Sequence, residues 1–528
     1  MEKWWQSAVV YQLYVRSFAD ANGDGIGDLN GIRSRLDYIQ ALGVDAIWLN
    51  PCYPSPQLDH GYDVADYFDI EPDYGTLADF VALVSACHER GLRIVMDVVP
   101  NHCSTAHAWF TDAVAGGRGS PERERFWFRD GVGPDGDEPP NDWDARFGGS
   151  AWTRIEEPDG QPGQWYLGVF TPHQPDLNWT SAEVADHFDR MLRFWFDRGV
   201  DGFRVDAVQS VDDKQLDLAQ ADRARSRPDA HPVWTRWRAL LDDYEAVHLD
   251  RSLFLVAEVW SNGDPEVMSQ FVNDDEFHAG FAFDVLRSPW QASAMQRAVD
   301  DDFTAVMRAG GTAAWAFNNH DVVRAVTRYG RPDATERMHI FVQSDEPVPD
   351  LKLGARRARA ALLFHLALPG TAYLYAGEEL GLPEVLDLPA DARTDPVFFG
   401  TNGTMPGRDG CRIPLPWTRD VGRARSWLPQ PSDWGTFAAD VQADDPESML
   451  SFYRRAIAAR REVFAEADRT IDWYPTEDDD LLVFFRGEVA VALNTSSREL
   501  PLPRALDSAT IPADSALWLH LGVVHSSL

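Results

Sequence analysis

Gly202-Phe-Arg-Val-Asp-Ala207 is a short apolar run that carries two opposite charges where a buried strand should carry none. With strand periodicity Arg204 and Asp206 point to one side, so the guanidinium can hold the carboxylate ionised and oriented as a nucleophile requires. A lone Arg-x-Asp is also what a structural ion pair looks like. Three further segments share its character, with polar groups at the end of an apolar run: Asp97-Val-Val-Pro-Asn-His102, Ala257-Glu258-Val-Trp260 and Asn318-Asn-His320-Asp321.

Upstream of the opening stretch, Thr180 and Glu183 predict a capping box, Val184, Phe188, Met191, Leu192 and Trp195 a buried helical stripe, and Gly199 a helix end. The same strand and helix grammar appears twice earlier. Ile32, Leu36, Ile39 and Leu42 stop at Gly43 before Ala46–Pro51, and Phe80, Val81, Val84 and Cys87 stop at Gly91 before Arg93–Pro100. With Val9–Tyr14 in front and Leu253–Glu258, Gly280–Asp284, Ala313–Phe317 and Thr371–Ala376 behind, eight strands are predicted. Eight strands with intervening helices predict an α/β (β/α)8 TIM barrel, whose chemistry sits at the C-terminal strand ends, where these polar groups lie.

Residues 103–173 interrupt that rhythm with Gly, Pro, Asp and Trp, too long for an ordinary loop, and predict a small domain inserted after strand three. The barrel is expected to occupy 1–102 and 174–462, with a Pro- and Gly-rich excursion from Glu384 to about Asp433 and a closing helix from Met449. Short strand patterns around 470–474, 481–485, 489–493 and 516–519 predict a C-terminal antiparallel β module over 463–528.

A chain of 528 residues is long enough for a large barrel with appended modules. Its net charge of -36 argues against nucleic acid or an anionic membrane as partner and favours a neutral ligand. Only Lys3, Lys214 and Lys352 are lysines, so nearly all its cations are arginines. There is no signal-peptide pattern or spanning stretch, and Cys52, Cys87, Cys103 and Cys411 lack the spacing of a disulfide framework or zinc site. The expectation is a soluble, cytoplasmic protein.

The four polar segments, in this order, resemble the signature regions of the α-amylase superfamily of retaining glycoside hydrolases. Gln174-Pro-Asp-Leu-Asn178, Gly61-Tyr-Asp63, Tyr375–Leu380 and Arg408–Trp417 resemble its oligo-1,6-glucosidase and α-glucosidase branch. The resemblance implies that Asp206 is the nucleophile, Glu258 the general acid/base and Asp321 a carboxylate stabilising the transition state. It further implies that Arg204 orients the nucleophile, His102 and His320 grip sugar hydroxyls, Tyr62 stacks on the ring, and Asp63 with Arg412 binds the non-reducing end. The implied partner is a small oligosaccharide or disaccharide, with no cofactor in catalysis.

Independently of the family, glycoside cleavage needs one carboxylate to attack and one carboxylic acid to protonate the leaving oxygen. Asp206 beside Arg204 is expected to stay ionised, and Glu258 in an apolar run beside Trp260 to be kept protonated by desolvation. Asp20, Asn22, Asp24, the Ile26 carbonyl and Asp28 alternate like the start of an EF-hand loop with Gly25 sixth; position twelve is Gly31, not a bidentate Glu. Similar loops in this family bind a structural divalent cation, so Ca2+ or Mg2+ is expected.

Ala207, after the nucleophile, stands where relatives preferring α-1,6 links tend to have Val and those preferring α-1,4 links Thr. Maltose and short maltooligosaccharides are expected as substrates, because the Arg408–Trp417 segment resembles maltose-type α-glucosidases. An α-1,6-specific oligoglucosidase, a trehalose synthase or sucrose isomerase type of transglucosidase, and a non-catalytic transporter subunit are the alternatives. The last is opposed by the retained carboxylates and the missing anchor.

Overall fold

The computed structural model describes residues 3–211, 214, 231–343, 347–420, 425–465, 467–506 and 510–520. The end of the expected C-terminal module, 521–528, lies outside the described residues. In chain order, β1 (Val9–Leu13), β2 (Ala46–Leu49) and β3 (Arg93–Val98) open the barrel, and β4 (Phe128–Arg129), β5 (Trp152–Glu156) and β6 (Pro162–Leu167) form a separate antiparallel sheet. The barrel is completed by β7 (Gly202–Val205), β8 (Phe254–Ala257), β9 (Ala279–Ala282), β10 (Thr312–Ala316) and β11 (Thr371–Tyr375). Their eight strands close in the order β1-β11-β10-β9-β8-β7-β3-β2, all pairs parallel. The C-terminal sheet holds β12 (Asp472–Tyr474), β13 (Leu481–Arg486), β14 (Val489–Asn494) and β17 (Ser515–His520), beside a short pair, β15 (Leu500–Pro501) and β16 (Thr510–Ile511).

Strand alternation explains both the core and the site. Tyr11, Leu13, Ile94, Met96, Val98, Phe203, Val205, Leu255 and Ala257 face the outer helices in one hydrophobic cluster, whereas Val10, Trp48, Val95, Val256, Phe281, Ala314 and Tyr373 fill the barrel interior in a second. Gln12, Asp97 and Arg204 occupy the inward parity of β1, β3 and β7, so each polar group points into the barrel. The pairing of Asp97 opposite Arg204 across β3 and β7 then follows from register.

The helix ends agree with their glycine signals. Gly43 takes the left-handed conformation (φ 90) as C-cap of Leu36–Leu42, and at Gly199 (φ 95) a Cβ would sit 2.7 Å from Val84 Cγ1. Two details differ from expectation. The stripe from Ile32 to Leu42 is two helices, Leu29–Ser34 and Leu36–Leu42, broken at Arg35, whose guanidinium stacks 4.3 Å from the Trp417 ring. The capping box at Thr180 does not form: the helix Ala182–Phe196 has Ser181 as N-cap, Thr180 bonds Asn178 (2.7 Å), and Glu183 is drawn off to Arg125 (2.9 Å). The inserted stretch 103–173 holds a helix of its own, Ala108–Gly116. Among the described residues, no helix is long and apolar enough to cross a membrane.

Candidate active site

Arg204 is the hub of the floor. Its Nη1 donates to Asp206 Oδ1 at 2.6 Å and Asp97 Oδ1 at 2.8 Å, and its Nη2 lies 2.8 Å from Glu258 Oε2. The predicted same-side placement of Arg204 and Asp206 is thus realised. Ala207 immediately turns the chain in a left-handed conformation (φ 46, ψ 42), which aims its N–H at Glu258 Oε2 (2.8 Å). Trp260 Nε1–H donates to Glu258 Oε1 at 3.0 Å. The surroundings of Glu258 are therefore not the apolar ones expected: three donors contact its carboxyl.

Sharing also alters Asp206. Burial raises it well above the usual carboxylate range; Arg204 opposes this, but Glu258 and Asp97 add to the upward push. Asp97 is raised to about 7, again by burial first and with Arg204 opposing. Arg204 contacts three carboxylates at once, so its charge opposes the upward push on Asp206 without cancelling it.

The second hub is Asp321. Its Oδ1 accepts from Arg412 Nη2 at 2.8 Å and Arg408 Nη1 at 2.9 Å. Burial pushes Asp321 up, but the His320 imidazole, Arg408 and Arg412 together hold it below the usual range. Arg408 also reaches Asp59 Oδ1 (2.9 Å) through Nη2 and Asp395 Oδ2 (2.7 Å) through Nε, bridging the loop after β2 and the excursion after β11.

The expected Asp63–Arg412 pair is not formed. Asp63 is fully buried and accepts from Ser55 Oγ (2.8 Å), Leu58 N (2.9 Å) and Asp59 N (3.0 Å), folding its own loop. Arg412 is equally buried, bonded to Asp321, the His320 carbonyl (2.9 Å) and His60 Nδ1 (3.0 Å). The ion pair closing that side is Asp59–Arg408, neither of which sequence reasoning named as a site residue. The reason is a turn: His60 (φ 51) and Gly61 (φ 102) are both left-handed, and a Cβ at Gly61 would lie 2.8 Å from the Pro51 carbonyl. That turn leaves Asp59 lining the cavity and Asp63 backed into the loop. The available signal was the two aspartates four apart around a glycine, which does not say which of them faces inward.

A cavity of about 640 Å³ brings together Asp59, Tyr62, His102, Asp206, Glu258, Asp321 and Arg408. His102 lies at its edge, its Nε2 3.1 Å from Gln174 Nε2 and 3.2 Å from the Tyr62 carbonyl; burial and Lys214 push its pKa down to about 3. Gln174 in turn donates to Asp59 Oδ2 at 2.9 Å, so the 174–178 motif braces the wall. His320 does not line the cavity; it lies behind Tyr62, ring on ring (5.4 Å, 5°), with Nε2 2.7 Å from the Tyr62 hydroxyl and Nδ1 2.7 Å from Gln12 Nε2.

The Asp20–Asp28 loop stands apart. Its oxygen donors suit a hard divalent cation, but as folded they bond their own loop: Asp20 accepts from the Gly23 and Gly25 amides (2.6 and 2.8 Å), Asn22 from Asp24, Asp24 from Ile26, and Asp28 caps the next helix through Gly31. Gly25 (φ 97) has a second reason to be glycine, since a Cβ would sit 2.9 Å from the Arg425 carbonyl carbon. Among the described residues, no three or more His, Cys, Asp or Glu side chains gather as a metal-holding group.

The family model described as the α-amylase catalytic domain matches residues 12–467. A probable α-glucosidase of Rhizobium meliloti is 35% identical over 545 aligned residues, covering 95% of this chain and 92% of the relative. An oligo-1,6-glucosidase of Parageobacillus thermoglucosidasius is 30% identical, covering 96% and 92%. Among solved structures, the α-glucosyl transfer enzyme XgtA superposes with a TM-score of 0.84 at 34% identity, covering 98% of this chain and 99% of that one.

Proposed function

This chain belongs to the α-amylase family and is a glycoside hydrolase, and from that premise we propose that it is a retaining, exo-acting α-glucosidase releasing glucose from maltose and short oligosaccharides. The observation that carries the exo reading is the Arg408 fork. By tying Asp59, Asp321 and Asp395 together it bridges the loop after β2 and the excursion after β11 beside the 640 Å³ cavity, which supports reading the space as a pocket closed on that side. A wall of buried charged groups satisfied by a terminal sugar discriminates against chains that continue past it.

In the proposed reaction Asp206 attacks the anomeric carbon as Glu258 gives its proton to the leaving oxygen, forming a glucosyl-Asp206 ester. Water then attacks, returning a proton to Glu258 and freeing Asp206 with net retention. The reaction needs its proton on Glu258 and a free carboxylate on Asp206, the group that Arg204 Nη1 holds at 2.6 Å. Asp321, held ionised by two guanidiniums, faces the positive charge that develops on the sugar. Tyr62 and His102 contact the ring from the cavity wall, and His320 acts through Tyr62, fixing its hydroxyl.

The test follows reducing-end-labelled maltoheptaose by chromatography. Labelled maltohexaose should appear first; early labelled maltotriose or maltotetraose would defeat the pocket reading. A second reading, glucosyl transfer or isomerisation, is favoured by the likeness to XgtA, and Ala207 leaves linkage open. One NMR panel of maltose, isomaltose, trehalose, sucrose and an aryl α-glucoside separates these, with α-glucose as first product if the anomer is retained.

Two lesser proposals accompany this one. The Asp20–Asp28 loop takes a structural Ca2+ or Mg2+, supported by its oxygen-only donors and tight Gly25 turn. The protein works in the cytoplasm, supported by four buried cysteines that are all free.

A further inference from the structure

A second cavity, about 310 Å³, lies at the opposite end of the barrel, where β1, β2, β3 and β11 begin and the closing helix Met449–Val463 ends. Five arginines line it, Arg93, Arg460, Arg461, Arg469 and Arg486, against one carboxylate, Asp45. In a chain of net charge -36 this is a local reversal of sign. Asp45 is already committed: Oδ1 to Arg461 Nη2 at 2.6 Å and Oδ2 to the Val9 amide at 2.8 Å.

Arg460 is the informative member. It is 5% exposed, and its polar contacts are neutral carbonyls: Leu366 (2.8 Å), Gly370 (2.7 Å) and Ser7 (3.3 Å). Its charge is thus buried among acceptors that do not neutralise it, and burial with Arg486 alongside pulls it down to about 9. Arg486, 6% exposed, also donates to carbonyls, of Ala367 (2.9 Å) and Asp468 (3.3 Å). Arg93 stands over Trp4 at 5.0 Å and shares Asp201 (3.6 Å) with His88 and Arg251.

We propose that this cavity binds a small multivalent oxyanion of the phosphate type, met by the guanidiniums of Arg461 and Arg93, with the buried Arg460 charge behind them. Clustered guanidiniums repel one another in a partly desolvated space, and a tetrahedral anion removes the repulsion while matching their bidentate geometry. A neutral sugar would need none of this. The site is remote from the catalytic carboxylates, so it stands or falls separately from the glucosidase reading.

Calorimetry of the full chain with pyrophosphate and with inorganic phosphate, at ionic strength matched with chloride, reads the site directly. Saturable one-to-one binding with a rise in Tm is expected, because an anion bound only by the folded state stabilises it. Arg461→Gln and Arg93→Gln should each weaken binding about tenfold, with the anion-free melting curve and maltose turnover near those of the parent. Glucose 6-phosphate binding more tightly than inorganic phosphate would identify a phosphorylated sugar as ligand, and equal binding a free oxyanion. Absence of saturable binding, binding unchanged by both substitutions, or a response that chloride reproduces would overturn the site in favour of arginines that only staple the barrel floor to the C-terminal sheet.

Discussion

Two buried clusters at the barrel mouth use the same groups in different proportions. Around Arg204, one guanidinium serves Asp97, Asp206 and Glu258; around Asp321, Arg408 and Arg412 serve Asp59, Asp321 and Asp395. Burial pushes up Asp97 and Asp206 in the first and Asp59, Asp321 and Asp395 in the second, yet the outcomes diverge. Asp97 rises to about 7 and Asp206 rises as well, whereas Asp321 is pulled below the usual range by His320, Arg408 and Arg412, and Asp395 by Arg408 and Arg412. Asp59, buried at the outer end of the Arg408 fork, is intermediate at about 6. Burial acts on all of them, and what separates Asp321 and Asp395 from Asp97 and Asp206 is the set of cations around each, Arg408 and Arg412 against Arg204. Acid/base chemistry needs a carboxyl that can hold a proton, and a developing sugar cation one that stays negative.

The harshest way to break the comparison is to remove a reacting carboxylate. Asp206→Asn should lower kcat/KM on an aryl α-glucoside by about 10⁴-fold or more, since covalent catalysis disappears. Loss of only a few-fold would remove Asp206 from the nucleophile role.

Next in size is Arg408→Ala, which takes one cation from the second cluster and strands Asp59 and Asp395. Breaking a buried pair costs roughly 3–5 kcal/mol, so maltose turnover should fall by about 10²- to 10^3.5-fold. The product pattern should stay terminal and not become that of an amylase. Asp63→Asn is the control: it disturbs three loop hydrogen bonds and should cost about 1–3 kcal/mol of stability while leaving kcat near normal. Equal kinetic damage from Asp63→Asn and Arg408→Ala would erase the distinction between wall and loop.

The pH response sharpens it further. A carboxyl with a raised folded pKa stabilises the fold fully below its unfolded value near 3.8 and loses that contribution as pH rises through about 7, the case for Asp97. Asp321 and Asp395 carry the opposite sign: their contribution is present above 3.8 and lost as pH falls through their lowered values. Asp97→Asn mimics the protonated form, so its Tm should gain on the parent between about pH 4 and 7; a difference that shrinks over that window contradicts the raised value.

The smallest effect belongs to the Asp20–Asp28 loop. Excess calcium over chelator should raise Tm by a few degrees at most and leave kcat alone, as mass action on a remote site requires. Identical melting curves from protein shown to be metal-free at the start would remove the cation.

The barrel was legible in the sequence because its signals are local. Strand parity, helical stripes and Gly43, Gly91 and Gly199 each report on a few neighbouring residues, and parity alone put Arg204 and Asp206 on one inward face. The four polar segments at strand ends likewise located the carboxylates. What only the tertiary structure decided is who shares whom: that Arg204 is divided three ways, that Glu258 meets donors, and that Arg408 and Asp59 make the wall while Asp63 folds a loop. Those pairings join residues as far apart as 59 and 408, and they turn on left-handed backbone at His60, Gly61 and Ala207. Residue type fixes which charges exist, but the direction in which each points, and hence the local ratio of cation to carboxylate, comes only from the closed barrel and the loops packed over it.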